Sequence, residues 1–401
     1  MKIRLLFVSG ILASITAWTE THYVATNGPS MPPYTSWATA GSNIIDVVNC
    51  AMTNNALRTI WVSNGTYYLT NQVVVTNSLT LQSVNGRDVT IVDGHNYPGK
   101  PVTNRCFYMS DQDAAVLDGF TISNGYAGDG GAIYGGGTTR NCSITLNMST
   151  NRGGGVYLGI LITNCIISRN FAGARGGGIY NSLKIVGCVI GENGTGSGGG
   201  GSGGGGGAFL PGGNFMQKCI VISNWGTVQS GYGGALYLRD ATVRNCMIAY
   251  NTNVYYGGLY VRGGYIENCT IVHNRGNDVG GIAMINNQYV NTPISNSIVM
   301  FNTPINYCQG THTTGIFYNC CITSMPDIAT NCITDNPLFV STNDANYRLS
   351  KFSPCVNAGA NEAWMLDAFD LGGYSRVDRF SGVVDMGCYE YLPQGMMFSV
   401  P

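Results

Sequence analysis

Charge is scarce in this chain: charged residues make up 10% of its 401 positions and the net charge is −1. No basic stripe runs along it, which excludes the electrostatic footprint of a nucleic-acid binder. There is no CxxC and there are only four histidines, too little for a zinc centre. Beyond an N-terminal apolar run from Leu5 to Ile15, no second long apolar stretch occurs, so no membrane span is expected in the mature chain. No helical pattern separates the short apolar segments, and this excludes βαβ units, whose crossovers use helices.

What the chain does have is a repeat. Asn124, Asn147, Asn170, Asn193, Asn224, Asn251, Asn274 and Asn302 each come five positions after a small residue: Gly119, Cys142, Cys165, Cys188, Cys219, Cys246, Cys269 and Ser297. Four of the seven spacings are 23 residues, and the others are 31, 27 and 28. Two positions after the small residue stands Thr121, Ile144, Ile167, Ile190, Val221, Ile248, Ile271 or Val299, a β-branched column sharing one strand face with the cysteines. A Gly-Gly pair then precedes a second apolar column of Ile133, Val156, Ile179, Phe209, Leu236, Leu259 and Ile282. Short strands recurring at this period predict an all-β fold, a single-stranded right-handed parallel β-helix whose coils stack about 4.8 Å apart. Stacked asparagines are expected to hydrogen-bond along their column. Glycine, 57 of 401 residues, supplies the tight turns.

The ends and interruptions divide the chain. Residues 1–17, with Lys2 and Arg4 before the apolar run, read as a secretory signal. Residues 18–58 form a lead-in with a helix capped by Ser42 or Asn43, which covers the open end of the solenoid through Ile44, Ile45, Val47 and Val48. The β-helix spans 59–334, with regular coils at about 105–305 and a Gly/Ser loop at 194–207; no lysine or helix signal directly follows that loop, which argues against a phosphate cradle. Residues 335–391 close the C-terminal end and 392–401 form a tail. Of the fourteen cysteines, Cys142, Cys165, Cys188, Cys219, Cys246 and Cys269, joined by Cys320, read as buried free thiols. Cys355 and Cys388 are the disulfide candidates.

The segment Phe120-Thr121-Ile122-Ser123-Asn124 with Gly130-Gly131-Ala132-Ile133-Tyr134 resembles secreted bacterial right-handed parallel β-helix proteins of the pectin-lyase-like superfamily, and also the repeats of chlamydial polymorphic outer membrane proteins. The stretches Asp335–Phe339, Tyr347–Ser350, Ser353–Gly359, Asp370–Gly373 and Val384–Tyr391 resemble the C-terminal signature of choice-of-anchor Q domain proteins. The resemblance implies a β-helix located outside the cytoplasm, secreted or at the cell surface, and implies no catalytic residues. The ending Leu392–Pro401 departs from that group in showing no sorting anchor.

Polysaccharide-cleaving enzymes share the fold, and their catalytic motifs are absent from this sequence. The residual catalytic candidates are His273 with Tyr250, adjacent in the column that precedes the asparagines, and Arg152 with Arg175, five residues after their asparagines and able to hold a carboxylate. Asp88, Asp93, Asp111, Asp113, Asp118 and Asp129 offer oxygen ligands for a Ca²⁺ ion; no other cofactor is expected. Tyr134, Tyr157, Tyr180, Tyr237 and Tyr260, with Leu210 between, come directly after the second apolar column and should point outward. They form either a sugar-binding strip or a ladder that braces neighbouring coils. A second outward stripe of Phe120, Ile166, Val189, Ile220, Met247 and Ile298 needs a cover, either the C-terminal segment or a partner. The expected role is binding or display toward polysaccharide or a cell-surface component; a lyase or glycoside hydrolase and a structural adhesin-like rod are the alternatives.

Overall fold

The computed structural model describes residues 20–53, 58–95, 103–110, 115–196, 203–227, 232–285, 290–310, 313–379 and 381–392. Residues 1–17, expected to be a secretory signal, the core of the Gly/Ser loop, Asp111, Asp113 and nearly all of the tail lie outside them. One coil shows the plan: strands Thr138–Arg140, Ser143–Thr145, Met148–Arg152 and Val156–Tyr157. Each pairs in parallel with its counterpart in the next coil, giving stacked sheets of 13, 11, 6 and 10 strands. The chain is a right-handed parallel β-helix, the hand that parallel crossovers adopt.

The corners explain the asparagines. In each regular coil a residue in the left-handed region precedes the ladder position, for example Leu146 (φ 58°), Arg169 (φ 55°) and Tyr250 (φ 55°). L-residues other than Asn and Gly adopt this region at a cost, so the adjoining ladder residue must hold the corner. Asn170 does so: its Nδ2 donates to Ile144 O at 2.8 Å and to Asn193 Oδ1 at 3.0 Å, and its Oδ1 accepts from the backbone N–H of Asn147 at 3.0 Å. The same set repeats upward to Asn302, where Asn306 Oδ1 ends the column.

Two registers differ from the sequence reading. Ile144 stacks on Ile122, not Thr121, because the first regular coil is one residue shorter than its successors. Asn124 therefore occupies the left-handed corner (φ 56°) and donates to Asp93 Oδ2, while Gly125 N–H meets Asn147 Oδ1. The ladder starts at Asn147, and Phe120 is fully buried, not outward. Further on, Ala208 stacks on Ile179 and Phe209 on Tyr180. Phe209 thus belongs to the tyrosine column, and Leu210 turns inward.

Before each small residue of the interior column from Cys142 to Cys320 the sequence reading overlooked a second left-handed column, including Asn141, Asn164, Asn245, Asn268, Asn296 and Asn319. In early coils these side chains are exposed and bond each other, as Asn164 Nδ2 does to Asn141 Oδ1 at 2.7 Å. In late coils they hold the C-terminal segment: Asn245 Nδ2 donates to Phe369 O and Asn296 Nδ2 to Ala360 O. That segment runs back along the eleven-strand face and buries Met247, Ile298 and Met300. Ile166 and Val189, in the coils it does not reach, stay 37% and 38% exposed. All fourteen cysteines are free. Cys355 packs with Ile298, Met300 and Cys321, whereas Cys388 faces Met247 and Val272, so the expected Cys355–Cys388 pairing does not form.

At the other end the helix Ile44–Ala51 buries Ile44, Val47, Val48 and Ala51 against the first strands, and Asn43 Oδ1 accepts from Ile45 N–H at 2.8 Å. Asn43→Ala is expected to lower stability by about 1 kcal/mol, seen as a small fall in the urea midpoint with unchanged slope.

Candidate ligand-binding surface

The outward side chains of the ten-strand face form one continuous stack: Tyr108, Tyr134, Tyr157, Tyr180, Phe209, Tyr237 and Tyr260. Successive ring centroids are 5.5, 4.9, 5.2, 4.9, 4.3 and 5.1 Å apart. In-register strands impose this spacing, and planar rings one coil apart lie largely face to face. Their faces are therefore taken by one another, and solvent meets edges. Tyr157, Tyr237 and Tyr260 are 8%, 8% and 6% exposed. Higher in the stack the hydroxyls are engaged: Tyr260 donates to Ile285 O and Tyr237 accepts from Arg262.

Beside the stack runs a polar column. Asp129, Arg152 and Arg175 are bridged on consecutive coils, with Gly204 and Tyr232 next in line. Asp129 takes Arg152 with both oxygens, Nε to Oδ1 at 3.1 Å and Nη2 to Oδ2 at 2.8 Å, which holds the guanidinium above its ordinary pKa. The Arg152 guanidinium also lies over Tyr157 (4.8 Å) and Tyr180 (5.3 Å), and Arg175 lies over Phe209 (5.3 Å). Arg105 repeats this over Tyr134 at 4.8 Å. Other candidate calcium ligands are also engaged: Asp93 with Asn124, and Asp118 with Arg140 and Asn141. Among the described residues no three His, Cys, Asp or Glu side chains converge as a metal site.

On the six-strand face, across this column from the tyrosines, the outward positions are Tyr126, Met148, Phe171, Gly194, Trp225 and Thr252. Gly194 matters because it has no side chain. A Cβ there would stand 2.3–2.7 Å from three atoms of the Trp225 six-membered ring, so the indole lies flat across the glycine. Trp225 is 37% exposed, and the Phe171 ring sits 5.8 Å away, tilted by 33°. Arg169 and Glu192 form an exposed ion pair at 2.7 Å on the neighbouring corners. Trp225 escaped the sequence reading because the column alternates Met, Phe, Gly and Trp. The legible signal was a glycine one coil below a tryptophan, each directly after its ladder asparagine.

His273 and Tyr250 do stack, 5.4 Å apart at 8°. The C-terminal hairpin covers them: Tyr347 donates to Tyr250 Oη at 2.7 Å and its ring lies 5.8 Å from His273. Burial lowers the His273 pKa, and its buried Nε2 has no hydrogen-bond partner among the described residues.

No family model matches the sequence, and no curated protein matches it. Among solved structures the chain is similar to ORF18 of Geobacillus virus E2, at 13% identity and TM-score 0.44, covering 73% of this chain and 58% of the viral one. It is similar to a rhamnogalacturonan lyase at 13% identity and TM-score 0.40, covering 83% and 95%. It is also similar to the pectin methylesterase PemA from Erwinia chrysanthemi, at 11% identity and TM-score 0.34, covering 77% and 92%. These are likenesses of backbone path.

Proposed function

We propose that this chain is an extracytoplasmic β-helix that binds polysaccharide on the lateral surface bounded by Phe171, Trp225 and the Arg152–Arg175 column. The observation that carries the reading is the Trp225 indole lying across Gly194 with 37% of the residue exposed. A sugar ring presents C–H groups to an aromatic face, while fixed guanidinium and carboxylate groups alongside can meet its hydroxyls. The tyrosine stack supports this surface from beside it, as a brace of edge-on rings. Binding is favoured over catalysis because the acid–base pair, His273 and Tyr250, lies beneath the C-terminal hairpin. No helix among the described residues is long and apolar enough to cross a membrane.

Trp225→Ala is expected to weaken binding of soluble uronate oligosaccharides about tenfold or more, the loss typical of an aromatic anchor. Tyr157→Ser, which removes an edge-on ring, should change affinity less than about threefold while lowering stability by about 1 kcal/mol or more. Titration by calorimetry checks both. Equal affinity for Trp225→Ala and the parent chain would remove the indole from the reading.

A further inference from the structure

Cys320 and Cys321 are consecutive residues of the last full coil, and they face opposite ways. Cys320 belongs to the interior cysteine column, its Sγ donating to Ile294 O at 3.4 Å. Cys321 stacks in register on Ile298 and faces outward, under the C-terminal segment. There it meets Cys355: the two share one apolar cluster with Ile298, Met300, Leu349 and Met386, and the Cys321 Sγ donates to Asp335 O at 3.2 Å. Cys355 is itself held in place, its N–H donating to Ser353 Oγ at 3.2 Å and its carbonyl accepting from Met386 N–H at 3.0 Å. Both cysteines are fully buried.

We propose that Cys321 and Cys355 form a disulfide that ties the C-terminal segment to the solenoid. Two S–H bonds break and one S–S bond forms. The two electrons and two protons pass to a small-molecule disulfide, which is reduced to its two thiols. Because both sulfurs are buried in the finished fold, the exchange belongs to folding or to opening of the segment. The bond closes a loop of about 33 residues, long enough to restrict the unfolded chain appreciably. It also keeps Ile298 and Met300 covered. The interior column is different in kind. Its sulfurs are engaged with carbonyls, Cys165 with Thr163 O at 3.2 Å and Thr139 O at 3.6 Å, as Cys321 is with Asp335 O, but each interior cysteine belongs to a run of like neighbours with no distinct partner.

The test uses the full chain, reduced and unfolded, then refolded with oxidised glutathione in excess. The protease-resistant fraction is denatured without reductant, alkylated, digested and read by mass spectrometry. The expected result is one linked peptide pair joining Cys321 to Cys355, with the interior cysteines alkylated. Protease cleavage within residues 335–391 should also be at least tenfold slower than in the reduced chain or in Cys355→Ser. Alkyl label on both Cys321 and Cys355 in the resistant fraction overturns the proposal, as does linkage of either to Cys332 or Cys388. If refolding yields no resistant fraction, natively purified chain treated with the same oxidant in mild denaturant is read identically.

Discussion

Asn170→Leu is expected to destabilise the chain by about 3–5 kcal/mol, although asparagine and leucine differ little in size. The substitution leaves the Asn147 N–H without its Oδ1 acceptor and Ile144 O without its Nδ2 donor, while Asn147 Nδ2 keeps Ile122 O and Thr145 O. Each buried group so orphaned costs about 1–3 kcal/mol, and the left-handed corner at Arg169 loses the bonds that hold it. The exposed column provides the contrast. Asn164 shares its left-handed conformation (φ 52°) with Gly187 (φ 63°) one coil on, so Asn164→Gly should lie within about 0.5 kcal/mol of the parent. Urea unfolding of the three chains separates the columns. A neutral Asn170→Leu would remove hydrogen bonding as the reason for the ladder.

The second large effect concerns the C-terminal segment. Arg376 is fully buried, with Nη1 donating to Gly387 O at 3.1 Å and Nη2 paired with Glu390 Oε1 at 3.0 Å. Asp370, Asp385 and Glu390 are buried around it and accept from backbone N–H groups of Tyr374, Asn357 and Asp385 respectively. Asp385 and Glu390 share this one cation, and burial pushes Glu390 up to about 8 and Asp385 up to about 6. The folded segment therefore holds protons that the unfolded chain has already released. The stability this supplies is fully present below the ordinary carboxylate range and is lost as pH rises toward 8, by a few kcal/mol in order of magnitude. Arg376→Met leaves the carboxyls uncompensated and should cost about 3–5 kcal/mol at pH 8, with less loss at pH 5. Hydrogen exchange of residues 355–391 at the two pH values measures this directly. After correction for the base-catalysed intrinsic rate at each pH, a lower protection factor at pH 5 than at pH 8 in the parent chain contradicts the sign.

Much of this fold is legible in the period alone, because a β-helix writes each column as a recurring residue type. Ile144, Ile167 and Ile190 could be stacked on paper, and they stack in the molecule. Where a coil changes length the period misleads: one residue fewer between Ala127 and Asp129 displaced Asn124 and Phe120 from their assigned columns. At Ala208-Phe209 the eye takes the larger side chain for the inward one, while the backbone alternation puts alanine inside. The surface was less readable. Outside the tyrosine column the outward residues follow no common pattern, so Trp225 did not stand out. Nor does any repeat foretell which stripe a non-repeating tail will cover. That tail found the late coils through Asn245, Asn268 and Asn296, residues whose first duty is a left-handed turn.

The surface reading itself rests on retention of the full chain on a panel of insoluble uronate polysaccharides, with absorbance of unsaturated product monitored in the same tubes. The account predicts that at least one polymer retains the parent chain and Tyr157→Ser, releases Trp225→Ala, and yields no unsaturated product. Retention of Trp225→Ala equal to the parent, or steady accumulation of unsaturated ends, would contradict it.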